Sequence, residues 1–347
     1  MKSPAAILVE QRQPLVLDEV ELPPLGFGQV LVEIHVTRIC GSQIGEIDGV
    51  KGPDRWLPHL LGHEAGATVL ETGPEVRHVK TGDRVVCHWR PGRGIEARGP
   101  LYSWNGRTVN AGCITTFQRY AILSENRVTP VPQATDLEVC ALLADTLTTG
   151  FGVIHNDAQV KIGESVVVIG CGGIGLGTVL GAHLAGAYPV IAADLHDLKL
   201  AKACEFGATH TINTRNHPLP DAVLAILEGR PADVVVDGTG QPAVLEQAFA
   251  LAGPLGRCVG VGVMAHDHRI SLNTLPLHLG RTLTGSHGGD SQPADDIPRY
   301  LRMMRGGRFD TRGMISHRLP LQDINDGIAR MRSGEVVHAL VDFRPAP

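Results

Sequence analysis

The sequence lacks the features that direct a chain to nucleic acid, to a membrane surface or to secretion. Its 31 Lys and Arg do not outnumber its 36 Asp and Glu, and the net charge is −5 with no long run of one sign. The first residues, MKSPAAILVEQRQP, contain no apolar core of a secretory signal. The seven cysteines are an odd number and widely scattered, which argues against a disulfide framework. We therefore expect a cytoplasmic protein with reduced thiols that binds neither nucleic acid nor a membrane.

Internal repeats and low-complexity tracts are also missing, and a length of 347 residues predicts two ordinary globular domains. Short β-like runs broken by Gly and Pro fill the first part, as in a small antiparallel barrel. Strands then alternate with helical segments, which predicts a doubly wound parallel sheet, before a mixed pattern returns. We predict an α/β protein in which residues 1–146 and 287–347 form a β-rich domain and residues 147–286 form a coenzyme domain.

The most informative segment is Ser165–Asp194, which reads as a buried strand, a glycine turn, a helix, a second strand and an acid. Gly170 permits the tight turn, Gly172 leaves space for a pyrophosphate, and Gly175 lets the helix approach the strand. The helix N-terminus then offers free N–H groups to the diphosphate. Asp194 is placed to accept hydrogen bonds from a ribose 2′-hydroxyl and to repel a 2′-phosphate. The segment therefore predicts binding of NAD rather than NADP.

Two other interpretations of this segment stay open on the sequence. A glycine-rich turn can occur without any ligand. A membrane span is the second, because no Lys, Arg, Asp or Glu lies between Glu164 and Asp194 and the segment is long enough. Its seven glycines and its strand-like ends, VVVI and PVIAA, favour a buried α/β unit.

A second constellation lies upstream of this segment. Cys40 stands in RICGSQIGE, and His63 and Glu64 stand together in LLGHEAG. Thiolate and imidazole are zinc ligands, and a catalytic zinc site has three protein ligands and one open position. These two turns could bring Cys40 and His63 to one ion, although a buried cysteine and an incidental histidine explain these residues equally well.

The order CGS, GHE, GDRV, TTGFG, GCGGIG and Asp resembles the medium-chain dehydrogenase/reductase superfamily, in its zinc-dependent alcohol dehydrogenase branch, nearly end to end. The resemblance implies a GroES-like catalytic domain and a Rossmann coenzyme domain. It implies an NAD-dependent oxidoreductase that interconverts a small-molecule alcohol and a carbonyl by hydride transfer. It also implies a homodimer or homotetramer that pairs through the edge strand near Thr282–Ser286.

The resemblance assigns roles to the residues of the upstream constellation. Cys40 and His63 are implied zinc ligands, Glu64 is an acid near the metal, and Ser42 hydrogen-bonds the substrate oxygen. Where relatives place a third ligand, a cysteine, this chain has Asp145 in LLADTLTTGFG. A carboxylate can ligate zinc, so we expect a Cys/His/Asp site. The alternatives are loss of the metal and a helix N-terminal role for Asp145.

Further residues match coenzyme and substrate positions of the superfamily. Gly173 and Ile174 belong to the coenzyme turn, Thr149 packs beside the nicotinamide in relatives, and Lys199 lies near the adenosine ribose. Trp89 matches a position that lines the substrate pocket. For Thr149, a packing role inside a helix looks the same in sequence, as does a solvent-facing role for Lys199.

The chain departs from the superfamily pattern at two further places. The structural zinc lobe of relatives needs four closely spaced cysteines after GDRV, and here only Cys87 and Cys113 border a Gly/Pro-rich loop. We therefore predict one catalytic zinc ion and no structural zinc. Many relatives have Asp after CGS and, two residues further, a His that relays the substrate proton, whereas this chain has Gln43 and Gly45. The proton must leave through Ser42 and water, through the ribose, or through another histidine.

Two rival functions stay open on the sequence. A zinc-free reductase of the same superfamily, acting on an activated C=C bond or an imine, is suggested by Asp145 and by the missing relay. A protein that binds NAD without turnover is the third interpretation. The residues that argue against it are Cys40, Ser42, His63 and Glu64. The substrate itself is not determined, because small changes in a pocket alter specificity.

Overall fold

The computed structural model describes residues 1–344, and its contacts divide the chain into two compact units. The first contains Met1–Asp145 and the chain from Gln292 onward, and the second contains Thr146–Ser291. The strands, in chain order, are β1 (Lys2–Leu8), β2 (Val16–Glu21), β3 (Gln29–Arg38), β4 (His59–Leu60), β5 (Glu64–Thr72), β6 (Arg84–His88), β7 (Leu101–Trp104), β8 (Arg107–Asn110), β9 (Tyr120–Ser124), β10 (Val128–Val131), β11 (Val166–Ile169), β12 (Val190–Asp194), β13 (His210–Asn213), β14 (Ala232–Asp237), β15 (Ala252–Gly260), β16 (Thr282–Gly285), β17 (His317–Leu319) and β18 (Ala339–Asp342). The helices are α1 (Gly41–Ile47), α2 (Leu137–Leu143), α3 (Thr146–Gly152), α4 (Gly173–Leu184), α5 (Asp197–Glu205), α6 (Leu219–Ile226), α7 (Pro242–Leu251), α8 (Leu275–His278), α9 (Pro293–Arg305) and α10 (Ile324–Ser333).

The first unit is built from two sets of short strands. A closed barrel has the order β1-β2-β7-β8-β4, and a second sheet has the order β10-β6-β5-β3-β18-β17, with β9 also beside β3. The core follows the two-residue period of a strand, since Val30, Val32 and Ile34 of β3 are all buried in one cluster. The prediction of a β-rich, barrel-like domain is confirmed.

The pairing of β3 with β5 positions the upstream constellation. The two strands are antiparallel, and Thr37 lies opposite Ala65. Arg38 and Glu64 are the next residues along the two strands, so their side chains belong to one cross-strand neighbourhood. Cys40 follows two residues later and precedes α1. The register of this strand pair therefore brings the end of β3 to the beginning of β5.

The second unit is a parallel sheet of six strands in the order β13-β12-β11-β14-β15-β16. Counted along the unit this is the order 3-2-1-4-5-6 of the doubly wound nucleotide-binding fold. All four residues of β11 and all five of β12 are buried, because helices cover a parallel sheet on both faces. The prediction of a Rossmann domain is confirmed.

The membrane interpretation of Ser165–Asp194 is wrong, because the segment forms β11, α4 and β12 of this sheet. Within residues 1–344, one helical stretch, Leu137–Asp157, is long and apolar enough to cross a membrane by length and composition. Buried residues make up 83% of its apolar window. Such burial is what the core helix of a packed protein shows.

The Gly/Pro-rich loop that follows β6 is more ordered than its composition suggests. Leu101–Trp104 and Arg107–Asn110 pair as a hairpin whose turn residues, Asn105 and Gly106, have φ of 50° and 76°. The buried carboxylate of Glu125 accepts backbone N–H bonds from Arg77, His78 and Ile95 at 2.6–2.7 Å. Burial alone would raise the pKa of Glu125, but these three donors lower it below its ordinary value. Glu125 therefore fixes two loops through one charge.

Replacing Glu125 by Gln tests this anchoring. An amide has one acceptor oxygen for three donors, so we expect a loss of roughly 2 kcal/mol in the free energy of unfolding at neutral pH. Because the pKa of Glu125 is depressed in the fold, the carboxylate stabilises above its unfolded pKa and this contribution disappears as the pH falls below about 4. Urea unfolding from pH 7 to pH 3 should therefore show a shallower acid dependence for Glu125→Gln. The exposed Glu71→Gln serves as the control, and equal curves for both variants would contradict the role of Glu125.

Candidate active site

Local backbone chemistry places the first metal-ligand candidates. Cys40 is the extended residue that caps the N-terminus of α1, with φ of −113°. His63 and Glu64 follow Gly62, whose φ of 90° favours glycine. A Cβ at Gly62 would lie 2.4 Å from Thr116 Oγ1, so no other residue fits the turn. Asp145 lies between α2 and α3.

These four residues converge although they are far apart in the sequence. Their ligand atoms all lie within 4.8 Å of one another, and no other group of this kind occurs in residues 1–344. The Cys40 thiol donates to Asp145 Oδ2 at 3.8 Å, and His63 Nε2 lies 3.5 Å from the same oxygen and 3.7 Å from Glu64 Oε1. A sulfur, an imidazole nitrogen and carboxylate oxygens gathered in a buried position are a zinc donor set. The residues present therefore fit the metal that the resemblance implies.

Arg38 is a further member of this site that sequence reasoning missed. Its side chain is 1% exposed, and it contacts Glu64 twice, through Nε to Oε2 and through Nη2 to Oε1, both at 2.8 Å. Nη2 also lies 3.6 Å from Asp145 Oδ2, and Nη1 lies 3.5 Å from His338 Nδ1. Only the register of β3 against β5 places Arg38 next to Glu64, and one sequence does not reveal that strand pairing.

The charges of this cluster act on one another. Burial raises the pKa of Glu64 to about 7, although the charge of Arg38 pulls it down. Burial alone would lower the pKa of Arg38, but Glu64, Cys40 and Asp145 hold it above its ordinary value. Arg38 is therefore the protein's own counter-charge for the acidic groups.

One residue of α1 contacts the cluster, and the residue before it carries a hydroxyl that is unpaired within the described part of the chain. Gln43 Oε1 accepts a hydrogen bond from Cys40 N at 3.1 Å, while Gln43 Nε2 contacts His63 Nδ1. The Ser42 hydroxyl oxygen is buried and has no hydrogen-bond partner among residues 1–344. Gly45, where many relatives carry the relay histidine, offers no side chain.

Trp89 lies beside the cluster, directly after β6. Its indole Nε1 donates to Asp145 Oδ1 at 3.0 Å, and the guanidinium of Arg90 lies 5.9 Å from the centre of its ring. Asp145 therefore has one oxygen held by Trp89, and the other faces Cys40 and His63. Two other arginines of the same loop lie elsewhere, since Arg93 pairs with Asp295 at the surface and Arg107 lies over the ring of Trp104.

The glycine turn of the second unit has the geometry that its sequence predicts. Gly170 has φ of 90°, and a Cβ on Gly175 would lie 1.9 Å from the carbonyl oxygen of Gly170. Gly172 caps α4, and a Cβ there would meet nothing within 4 Å. The backbone is thus open on the side of Gly172 and closed on the side of Gly175. Gly173 and Ile174 form the first turn of α4, whose N–H groups point out of its N-terminus.

The other three coenzyme candidates, Asp194, Lys199 and Thr149, all lie in the second unit. Asp194 ends β12, and its carboxylate accepts hydrogen bonds from Cys171 N at 2.8 Å and from His196 N at 2.9 Å. Lys199 is half-buried on α5, and Thr149 is buried in α3. Asp194 is the one of these three that directly adjoins the glycine turn.

The first unit contains a barrel and a cluster of metal-ligand residues, and the second is a doubly wound sheet with a dinucleotide turn. This combination is typical of a zinc- and nicotinamide-dependent oxidoreductase. Comparison with known proteins agrees. Residues 26–133 match the family described as "Alcohol dehydrogenase GroES-like domain", and residues 173–306 match the family described as "Zinc-binding dehydrogenase".

Relatives match over the whole chain. "S-(hydroxymethyl)glutathione dehydrogenase" of Paracoccus denitrificans is 31% identical and is matched over 98% of this chain and 100% of its own length. "Alcohol dehydrogenase class-3" of Cereibacter sphaeroides is also 31% identical, over 99% and 100%. A solved structure, an alcohol dehydrogenase zinc-binding domain protein from Burkholderia ambifaria, superposes with a TM-score of 0.89 at 26% identity and covers 99% of both chains.

The chain belongs to the zinc-dependent alcohol dehydrogenase family of the medium-chain dehydrogenase/reductase superfamily. Its activity is that of an NAD-dependent oxidoreductase that interconverts an alcohol and a carbonyl. The family implies zinc and NAD as cofactors and a small-molecule substrate. The zinc-free reductase acting on C=C bonds or imines is not favoured, because these relatives are alcohol dehydrogenases.

Arg38→Met tests the counter-charge in this site. The change leaves the buried Glu64 and Asp145 carboxylates without their cation, so metal-free protein should lose on the order of 3 kcal/mol in the free energy of unfolding. The double variant Arg38→Met/Glu64→Gln should recover most of that loss, because it removes the unpaired charge as well. Denaturant titration of both proteins measures this. A single variant as stable as the wild type would contradict the role given to Arg38.

Proposed function

We propose that Cys40, His63 and Asp145 hold one catalytic zinc ion, with Glu64 beside it to assist ligand exchange. The observation that carries this proposal is the convergence of the four ligand atoms within 4.8 Å in a buried position. When bound, zinc supplies the Lewis acidity that polarises a substrate oxygen. An oxygen ligand at Asp145 donates less charge than a second thiolate, which favours a stronger Lewis acid.

Trp89 serves this centre in two ways in our proposal. Its indole holds Asp145 Oδ1, and this leaves Oδ2 directed toward Cys40 and His63. A hydrogen bond to the outer oxygen of a ligating carboxylate fixes its orientation. The exposed part of the same ring then forms a wall of the substrate pocket.

Ser42 is the first acceptor of the substrate proton in our proposal. Its oxygen is buried without a partner among residues 1–344, so the hydroxyl of a bound alcohol can supply the missing hydrogen bond. The alcohol O–H donates to Ser42 Oγ, and Ser42 passes a proton onward through water or the coenzyme ribose. No histidine of α1 continues the path, because Gln43 and Gly45 stand at the relay positions.

The second unit binds NAD through the turn from Gly170 to Gly175 and through Asp194. NAD supplies the acceptor for the hydride of the substrate carbon. Support comes from the open backbone at Gly172 and from the fixed carboxylate of Asp194, which receives two backbone N–H bonds. A carboxylate in this place favours two ribose hydroxyls over a 2′-phosphate. In this scheme Lys199 lies near the adenosine ribose and Thr149 beside the nicotinamide.

A single zinc ion per chain is part of this proposal. The region where relatives carry a structural zinc is organised here by the Glu125 carboxylate. Cys87 is buried in β6 within an apolar cluster, and burial raises the pKa of its thiol, which disfavours the thiolate that zinc requires.

His63→Ala tests the proposed centre. The variant should contain no zinc and should not oxidise any alcohol that the wild type oxidises, because a ligand is lost from the ion. Its Kd for NADH should stay within about twofold, since the coenzyme residues belong to the other unit. Elemental analysis, steady-state kinetics and NADH fluorescence titration measure these three quantities.

The matched control is His210→Ala, an exposed histidine of β13. It should keep both zinc and activity. Full turnover in His63→Ala would refute the zinc-dependent reaction, and a large loss of NADH affinity would mean that the variant is damaged as a whole.

We also propose that two chains pair through the outer strand β16. β16 pairs only with β15 among the described strands. Leu255 is 77% exposed and Leu279 is 63% exposed, and Leu255 lies beside the residue that follows Leu279, since a Cβ on Gly280 would be 2.7 Å from Leu255 Cδ2. Exposed leucines beside an unpaired strand edge are typical of an interface.

Light scattering of the wild type and of Leu255→Glu/Leu279→Glu tests this pairing. The wild type should have the mass of two or four chains, and the double variant should have a smaller mass because two charges enter the apolar contact. Leu224→Glu, at an exposed position of α6, is the control. A monomeric wild type would contradict the proposal.

A further inference from the structure

Gln43 is a buried amide that faces two hydrogen-bonding groups of the metal centre. Gln43 is only 2% exposed. On one side Oε1 accepts the backbone N–H of Cys40 at 3.1 Å, and on the other side Nε2 contacts His63 Nδ1. Both partners belong to proposed zinc ligands, so the orientation of this amide bears directly on the metal.

The orientation of the amide follows from the Cys40 contact. A backbone nitrogen can only donate, so the Gln43 atom that faces it must be the carbonyl oxygen. The NH₂ group is then directed at His63 Nδ1. This arrangement satisfies every group only when Nδ1 carries no hydrogen and accepts from the amide.

Zinc binding requires the opposite arrangement at His63. His63 Nε2 is the nitrogen that faces Asp145 and Glu64, so it is the nitrogen available to the ion. A neutral imidazole that ligates through Nε2 carries its hydrogen on Nδ1 and normally donates it to a carboxylate or a carbonyl. Cys40 N–H and His63 Nδ1–H are then two donors that face one amide with a single oxygen.

A carboxylate at this position would accept both hydrogen bonds, since it has two acceptor oxygens and no hydrogen. Many relatives have Asp directly after CGS, at the position of Gln43. Replacing that acid by an amide removes one acceptor and places a donor in front of Nδ1. In either orientation of the amide, a metal-loaded site then leaves one N–H facing an NH₂ group.

We infer that Gln43 is a positioning residue that lowers the zinc affinity of this centre through its contact with His63. The inference rests on the proposed function, in which His63 ligates zinc. With Gln43 in place, the loaded centre leaves one buried N–H without an acceptor, and partners of this kind change metal affinity by about 10- to 100-fold. The centre therefore exchanges zinc more readily than one with a carboxylate at residue 43.

Gln43→Glu is the sharpest test, because it replaces one NH₂ group by an oxygen and keeps the length of the side chain. Its Kd for zinc, measured by competition with a chelating indicator on the metal-depleted protein, should be lower than that of the wild type by about 10- to 100-fold. Gln43→Asp, which carries the residue of many relatives, should change the Kd in the same direction. These measurements do not depend on catalytic turnover.

Gly45→Asp is the control for charge alone. It adds one carboxylate to the same helix, and its Cβ would face Val50 at 3.6 Å with room for a side chain. Because a half-exposed charge is screened by solvent and salt, we expect a change in Kd of less than about threefold. A Gln43→Glu protein that binds zinc no more tightly than Gly45→Asp would overturn the inference.

Histidine NMR supplies a second readout, which does not depend on a measured zinc affinity. NMR of histidine-labelled, zinc-loaded protein reports whether His63 Nδ1–H is held by an acceptor, with His63→Gln identifying the signal. We expect rapid exchange of this hydrogen with water in the wild type and a protected, hydrogen-bonded signal in Gln43→Glu. A protected signal in the wild type would overturn the inference.

The two proposals fail in different ways. If the wild type takes up no zinc, or if zinc uptake is unchanged in His63→Gln, the proposed function is wrong. If zinc uptake requires His63 but is indifferent to residue 43, the proposed function stands and only the role of Gln43 is wrong.

Discussion

The ion pair between Arg38 and Glu64 is the constraint on which the catalytic unit depends. Cys40, Glu64 and Asp145 bring acidic groups together in a buried place, where like charges are unfavourable. Arg38 supplies a fixed cation through two 2.8 Å contacts with Glu64. Since Arg38 ends β3 and Glu64 begins β5, the same contacts join the two strands that carry the site. The protein can therefore assemble the acidic cluster before any metal contributes its charge.

Neighbouring side chains contact three of the four residues of this cluster. Arg38 holds Glu64, Trp89 holds one oxygen of Asp145, and Gln43 contacts Nδ1 of His63. Such neighbours fix ligand orientation, and replacing them typically changes metal affinity by about 10- to 100-fold. Arg38 and Trp89 donate to the carboxylates of Glu64 and Asp145, and a bound metal ion would leave these two hydrogen bonds in place. Gln43 presents a donor where a loaded histidine needs an acceptor, and this makes residue 43 the point at which this chain differs most from a tight zinc site.

Local sequence patterns predicted much of this molecule, whereas the pairings between distant segments could not be predicted from them. The glycine turn and Asp194 were readable because strand, turn, helix and acid follow one another within about 30 residues. Residue type and the two turns suggested Cys40 and His63, and the resemblance added Asp145, but their convergence rests on strand register. Arg38 escaped notice for that reason, since nothing near it in sequence indicates that it pairs with Glu64. The hairpin β7–β8 was missed for a different reason: its Asn105-Gly106 turn is a strong local signal that the many Gly and Pro residues around it obscured.

The measurement that tests the central claim most directly is the absorption spectrum of the protein loaded with cobalt in place of zinc. A Cys/His/Asp centre has one thiolate, so the spectrum should show the sulfur-to-cobalt charge-transfer band of a single cysteine in tetrahedral geometry. Cys40→Ser should abolish the band, and Asp145→Cys should raise it toward the intensity of two thiolates. A spectrum without a thiolate band, or one that Cys40→Ser and Asp145→Cys leave unchanged, would contradict the assignment of the metal to these residues.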